Sequence, residues 1–137
     1  MFNQAAVIGA GTMGRGIAFA TAVKGIPVFL QDINEKMLTD SKAYIKEQFD
    51  ISVEKGKISA EEAAKNFEQI RYTTDLEEAA QHADIVIEAV LELMDLKVDI
   101  FKKLDKITPP HAILATNTST MSPTEIGSFT SRPENVI

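Results

Sequence analysis

The chain has 137 residues, of which 45% are hydrophobic and 25% charged, with a net charge of −6 and no cysteine. This predicts one globular domain over residues 1–137 and excludes a second domain of ordinary size. The acidic balance argues against binding to nucleic acid, and the lack of cysteine excludes disulfides and zinc–thiolate sites and fits a cytoplasmic protein. No run approaches the ~20 apolar residues of a membrane helix, so we expect no membrane insertion, and we predict no metal site.

Strand-like and helix-like segments alternate from the amino terminus. The first strand, Gln4–Ile8, runs into a glycine-rich turn and an apolar helix that we expect to be largely buried. This helix ends at about Lys24, because Gly25 terminates it and Pro27 opens the second strand. A second strand, Val28–Gln31, precedes a long helix over about residues 34–55, in which Leu38, Ile45 and Phe49 share one face.

The second half of the chain repeats this alternation. Ser59 with Glu62, Thr74 with Glu77 and Ser122 with Glu125 have the spacing of helix-capping boxes. The predicted strands are residues 70–73, 84–90 and 112–116, an amphipathic helix fills residues 93–107, and residues 135–137 open a further strand. Strands that alternate with helices predict an α/β fold: a Rossmann-type, doubly wound parallel sheet, truncated near the start of its sixth strand.

The turn after the first strand has the spacing G-x-G-x-x-G, formed by Gly9, Gly11 and Gly14. Gly9 permits the tight turn, Gly11 lets a pyrophosphate approach the backbone, and Gly14 lets the helix pack close to the strand. The phosphates would then meet the free N–H groups at the helix N-terminus. A sharp structural turn is the alternative, but the strand before it, the helix after it and the acid at Asp32 favour dinucleotide binding.

Asp32 follows the second strand, 18 residues after Gly14. A carboxylate there accepts hydrogen bonds from the adenosine ribose hydroxyls and repels a 2′-phosphate. Its neighbours Gln31, Ile33 and Asn34 include no arginine, so NAD is favoured over NADP. The motif by itself leaves FAD open.

Ligands of such sheets bind beyond the carboxyl ends of the strands, where the strand order reverses. For the order 3-2-1-4-5, that point lies between the first and fourth strands. Val90, Leu91 and Glu92 should therefore lie beside the cofactor, with Lys97 one turn into the next helix. For Glu92 and Lys97, a solvated helix start is an equally good interpretation.

Four segments together resemble the NAD-binding domain of L-3-hydroxyacyl-CoA dehydrogenases, most closely the version in the alpha subunit of the bacterial fatty-acid-oxidation complex. They are residues 7–14 (VIGAGTMG), 31–34 (QDIN), 84–92 (DIVIEAVLE) and 114–120 (LATNTST). The resemblance covers nearly the whole chain, and its Asn-Thr-Ser-Thr segment is far more specific than the glycine turn.

The resemblance implies fatty acid β-oxidation, in which an L-3-hydroxyacyl-CoA is oxidised to the 3-ketoacyl-CoA and hydride passes to NAD. It also implies that Ser119 hydrogen-bonds the reacting oxygen of the substrate and that the long helix lies near the CoA, with Lys55 a phosphate partner. The cofactor contacts that motif and resemblance together assign are Gly9, Gly11, Thr12, Met13, Gly14, Asp32, Val90, Leu91, Glu92, Lys97, Asn117 and Ser119.

The family's catalytic histidine follows an Arg-Pro-Glu-Asn motif, which is present here at residues 132–135, but the chain stops at Ile137. The resemblance therefore implies a fragment without the general base and the helical C-terminal domain, which binds NAD and is inactive alone. His82 and His111 precede strands and should lie at the opposite edge of the sheet, out of reach of a substrate hydroxyl.

Two alternatives remain open: a stand-alone NAD-binding module or sensor without catalysis, and a related β-hydroxyacid dehydrogenase. An uncovered sheet edge and apolar surface would favour a homo-oligomer or a self-associating fragment.

Overall fold

A computed structural model describes residues 2–117 and 122–137 of the chain; the predicted site residue Ser119 lies outside these ranges. Five parallel strands form one sheet in the order β3-β2-β1-β4-β5. The strands are β1 (Ala5–Ile8), β2 (Val28–Gln31), β3 (Ile70–Thr73), β4 (Ile85–Glu88) and β5 (Ile113–Thr116). The helices are α1 (Thr12–Ala22), α2 (Glu35–Glu54), α3 (Ala60–Glu68), α4 (Leu76–Ala80), α5 (Met94–Ile107) and α6 (Pro123–Gly127), followed by a 3-10 turn at Pro133–Asn135.

The strand order reverses at β1, as the alternation of segments predicts. Ala5 is in register with Val28 of β2 on one side and with Ile85 of β4 on the other. Val136 forms a parallel bridge to Leu114 of β5, so the last residues begin a sixth strand beside the fifth. The doubly wound fold is thereby confirmed.

Each face of the sheet carries its own apolar core. Ala5 and Val7 of β1 pack with α1 and α2, whereas Ala6 and Ile8 pack on the opposite side with residues of α4 and α5. This alternation follows from the two-residue period of a strand. Because helices cover both faces of the sheet, the connecting loops lie at the two ends of the strands.

Two details of the sequence interpretation need correction. The first helix is less buried than its composition suggests, since only Gly14, Ala18 and Ala22 are buried and Met13 is 58% exposed. Small residues bring one face of α1 close to the sheet, and the larger Ile17 and Phe19 are only partly buried against the core. The cap of α4 is Asp75 rather than Thr74, because the Asp75 side chain accepts the backbone N–H groups of Glu77 and Glu78.

Among the described helices, none combines the length and the apolar character that crossing a membrane requires.

Candidate functional site

The turn between β1 and α1 depends on glycine at two positions. Gly9 has φ +105°, and a Cβ built there would lie 2.5 Å from the carbonyl oxygen of Ala89. A Cβ on Gly14 would overlap the carbonyl oxygen of Gly9. Both contacts are with backbone, which cannot swing aside, so the close approach of α1, β1 and the end of β4 requires that neither residue has a side chain.

Gly11, at the tip of the turn, has a different environment. A Cβ there would meet only the terminal carbon of Met37, at 4.0 Å, and Gly11 itself forms the N-cap of α1 with extended backbone. Within the described residues no side chain caps this helix, and its first turn contains no acid. The helix N-terminus is therefore able to receive an anion on its backbone N–H groups.

Asp32 follows β2, and its carboxylate is bonded to the glycine turn. Oδ2 accepts the backbone N–H of Ala10 at 2.9 Å, and Oδ1 accepts that of Asn34 at 2.9 Å. A carboxylate can accept about four hydrogen bonds, so capacity remains for ribose hydroxyls. An anion-binding helix end beside an acceptor for hydroxyls fits the diphosphate and adenosine ribose of a dinucleotide.

Ser41 is a residue of this site that the sequence interpretation missed. It is buried in α2 and its hydroxyl donates to the carbonyl oxygen of Ala10 at 2.9 Å. It lies between Leu38 and Ile45, on the face of α2 that packs against the core. A single hydroxyl on an otherwise apolar helix face was the only signal that could have found it.

The end of β4 contains a buried ion pair that the sequence interpretation also missed. Glu88 and Lys97 both have side chains with 0% exposure, and Lys97 Nζ lies 2.6 Å and 2.8 Å from the two carboxylate oxygens of Glu88. The interpretation of Lys97 as a solvated residue at the start of a helix is therefore wrong. Nζ also lies 3.6 Å from Oε1 of Glu92, whose side chain is 46% exposed.

The other predicted contacts surround the carboxyl end of the sheet. Leu91 is 72% exposed and the side chain of Glu92 46% exposed in the loop after β4, whereas Val90 is half-buried. Asn117 follows β5 and its backbone N–H donates to the carbonyl oxygen of Glu88 at 2.9 Å. Thr12 and Met13 are exposed at the start of α1, and Lys55 is exposed at the far end of α2. Their contacts with the cofactor stay predictions.

Both histidines lie at the opposite, amino edge of the sheet, as expected. His111 precedes β5, and its Nε2 lies 2.8 Å from Oδ1 of Asp84, whose other oxygen accepts the backbone N–H groups of Asn3 and Gln4. The hydrogen bond from His111, with those from the backbone, lowers the pKa of Asp84 below its ordinary value of 3.8. His82 is exposed shortly before β4.

A cavity of about 520 Å³ lies along the edge strand β3, and the described residues that line it include none of the predicted cofactor contacts. Its lining includes Lys42 of α2 and Tyr72 of β3, and burial raises the pKa of Tyr72 to about 12. This cavity therefore lies away from the predicted site, which is defined by the carboxyl ends of the strands and the glycine turn.

Comparison with known proteins identifies the domain type. The family model for the NAD-binding domain of 3-hydroxyacyl-CoA dehydrogenase matches residues 4–137. A probable 3-hydroxybutyryl-CoA dehydrogenase of Bacillus subtilis is 45% identical over 98% of the chain, and a fatty acid oxidation complex subunit alpha of Psychrobacter cryohalolentis is 37% identical over 98%. The structure of 3-hydroxybutyryl-CoA dehydrogenase from Escherichia coli K12 superimposes with a TM-score of 0.93 at 38% identity over 99% of the chain.

The chain is much shorter than these relatives. It spans 47% of the Bacillus protein, 19% of the Psychrobacter subunit and 29% of the Escherichia coli chain. The comparisons thus identify an NAD-binding domain and settle the choice between NAD and FAD that the glycine motif left open.

Proposed function

Since the chain belongs to the family of 3-hydroxyacyl-CoA dehydrogenase NAD-binding domains, we propose that it holds NAD for the oxidation of an L-3-hydroxyacyl-CoA to the 3-ketoacyl-CoA in fatty acid β-oxidation. Bound NAD supplies the acceptor for the hydride that leaves C3 of the substrate. The observation that carries the proposal is the contact of Asp32 with the glycine turn, which brings a ribose acceptor and a phosphate cradle together.

Each part of the crevice has a defined task in this proposal. The N-terminus of α1 holds the diphosphate, with Gly11 leaving room for close approach. Asp32 accepts the adenosine ribose hydroxyls and disfavours a 2′-phosphate by charge repulsion, which selects NAD over NADP. Ile33, 90% exposed directly after Asp32, offers an apolar surface for the adenine, and Leu91 offers another beyond the end of β4.

Proton removal from the substrate hydroxyl needs a base within about 3 Å. The sequence contains two histidines, and both lie at the amino edge of the sheet, away from the crevice. We therefore expect the 137-residue chain to bind NAD without turning over substrate. Ser119, which the resemblance places on the reacting oxygen, would orient the substrate without supplying the base.

The acyl-CoA would lie over the carboxyl end of the sheet and along α2. Lys55 is exposed at the C-cap of that helix, and its ammonium could pair with a CoA phosphate. Mixing the chain with CoA and measuring affinity for wild type and Lys55→Ala tests this contact, with the exposed Lys46 as a matched control. A loss confined to Lys55→Ala would support it, and equal affinities would remove it.

We propose that the protein acts in the cytoplasm. We also propose that the chain self-associates through the part of the sheet face that α1 leaves uncovered. Ile85 and Ile87 of β4 are half-buried on that face and line an apolar groove of about 320 Å³ with Phe2, Ile17 and Ile26. A second copy would remove this surface from water.

Titration of the chain with NADH, followed by calorimetry or by nicotinamide fluorescence, tests the central proposal. We expect saturable binding of one NADH per chain and far weaker binding of NADPH. Absence of binding at millimolar NADH would refute it. The same chain, assayed with an L-3-hydroxyacyl-CoA and NAD, is expected to show no turnover.

A further inference from the structure

Glu88, the last residue of β4, uses both carboxylate oxygens to join three elements. Oε1 accepts from Lys97 Nζ of α5 at 2.8 Å and from the hydroxyl of Thr116 of β5 at 2.7 Å. Oε2 accepts from Lys97 Nζ at 2.6 Å and from the backbone N–H of Val90, in the loop after β4, at 2.8 Å. These four bonds occupy the hydrogen-bonding capacity of a carboxylate.

Stability alone does not account for this pair. Removing two charges from water is costly, and well-packed apolar residues of similar volume often stabilise a protein as well or better. An ion pair of this kind restricts geometry, because a carboxylate whose hydrogen-bonding capacity is filled allows one arrangement of its partners. Glu88 restricts two parts of the molecule in this way, the loop after β4 and the end of β5.

On one side, Glu88 fixes the loop after β4. Its bond to Val90 N–H sets the path of that loop, and Lys97, held by Glu88, lies 3.6 Å from Oε1 of Glu92. The Glu92 side chain is 46% exposed, whereas that of Lys97 is fully buried. Through Lys97, Glu88 therefore helps to determine where the Glu92 carboxylate and the loop after β4 lie.

On the other side, Glu88 fixes the end of β5. Its side chain binds the Thr116 hydroxyl and its carbonyl oxygen binds the Asn117 N–H at 2.9 Å. Asp32 lies on the β2 side of β1, and Glu88 lies on the β4 side. If Asp32 binds the adenosine ribose and α1 the diphosphate, the nicotinamide half of NAD must extend over the end held by Glu88.

We propose that Glu88 is a positioning residue for the nicotinamide half of NAD, acting through Lys97, Val90 and Thr116 on the two strand ends that flank it. The inference rests on the proposed function. It gives Glu88 the task of fixing Lys97, a predicted cofactor contact, together with the loop and the strand end beside it.

The test compares NADH with ADP-ribose, which has the diphosphate and both riboses but no nicotinamide. Four forms of the 137-residue chain are titrated with each ligand by calorimetry, and their melting temperatures are measured. They are wild type, Glu88→Gln, Lys97→Met and the double variant. The matched control is Asp99→Asn with Lys103→Met, which removes an exposed ion pair from the same helix.

We expect Glu88→Gln and Lys97→Met to lower the melting temperature, because each leaves a buried polar group without its partner. The double variant should recover most of that loss yet bind NADH at least tenfold more weakly than wild type, with ADP-ribose affinity within about twofold. The control pair should leave both affinities unchanged. A purely structural role would let NADH affinity recover together with the melting temperature.

Thr116→Val provides a second variant that leaves the ion pair intact and removes one bond to Glu88. We expect a smaller loss of NADH affinity, of about threefold, with unchanged ADP-ribose affinity. Wild-type NADH affinity in either Thr116→Val or the double variant would overturn the positioning role, as would equal losses for both ligands. If the wild-type chain binds neither ligand, the proposed function itself fails.

Discussion

The carboxylate oxygen Oδ2 of Asp32 lies 2.9 Å from the backbone nitrogen of Ala10, so the predicted ribose acceptor is also a support of the glycine turn. One residue therefore determines both the shape of the phosphate cradle and the position of the acceptor beside it. Ser41 supports the same residue through a hydrogen bond to the Ala10 carbonyl oxygen. This arrangement suggests variants that separate binding from folding.

Asp32→Asn should change cofactor choice more than stability. The amide keeps one acceptor for the two backbone N–H groups, so the free energy of unfolding should fall by about 1 kcal/mol. Loss of the negative charge removes repulsion of a 2′-phosphate. We expect NADH affinity to fall about tenfold and the preference for NADH over NADPH to shrink at least as much, measured by calorimetry. Asp40→Asn, an exposed acid of α2, is the control, and an unchanged preference would contradict the ribose assignment.

Gly9→Ala should destabilise the fold. The new Cβ meets the Ala89 carbonyl oxygen at 2.5 Å and the backbone has positive φ, so we expect a loss of about 2 kcal/mol or more in urea unfolding. Gly16→Ala, in the open interior of α1 with nothing within 4 Å of its Cβ, should instead stabilise by about 0.5–1 kcal/mol. Equal effects at the two sites would show that the turn geometry is wrong.

Gly11→Ala should affect binding and leave the fold intact. Its Cβ has space and its backbone is extended, so we expect the free energy of unfolding to change by less than about 1 kcal/mol. The methyl group would occupy the approach of the diphosphate, and NADH affinity should fall at least tenfold. Thermal unfolding and NADH titration on the same sample measure both. NADH binding at wild-type strength would place the diphosphate elsewhere.

Asp84 should make the fold sensitive to acid. Its hydrogen bond from His111 and those from Asn3 and Gln4 lower its folded pKa below 3.8, so the unfolded state binds more protons around pH 4. The stabilisation is complete above the unfolded pKa and is lost as pH falls through the folded pKa. Asp84→Asn should therefore lower the stability at pH 6 and make the loss of stability below pH 4 less steep. Thermal unfolding measured at each pH tests this. Asp99→Asn, exposed on α5, should keep the wild-type profile.

Ile87→Thr should weaken self-association. It keeps the branched β-carbon that suits a strand and removes apolar area from the open face of β4. Light scattering should show a dimer for wild type and a shift towards monomer for the variant. Phe129→Ser, an exposed aromatic residue outside the groove, should leave the dimer unchanged. A monomeric wild-type chain at high concentration would rule out this interface.

The local features of the chain could be predicted from its sequence. Spacing of apolar residues located the strands and helices, and the caps at Ser59 and Ser122 are where the capping boxes predict them. The glycine spacing and the distance to Asp32 predicted the cradle, because each depends on residues that are neighbours in one strand–turn–helix unit. Periodicity and turn chemistry act over a few residues, and a sequence shows them directly.

Only the tertiary structure decided the parts that join distant segments. Glu88 stands at the end of an apolar strand and Lys97 at the start of an amphipathic helix, and nothing local says that each is fully buried against the other. Their partnership arises when α5 packs on the sheet and excludes water from both charges, which must then pair. Ser41 joined the glycine turn for the same reason, since its hydroxyl met the Ala10 carbonyl only after α2 docked. The sequence by itself determined the type of cofactor crevice, and the packing of helices on the sheet decided what holds it in shape.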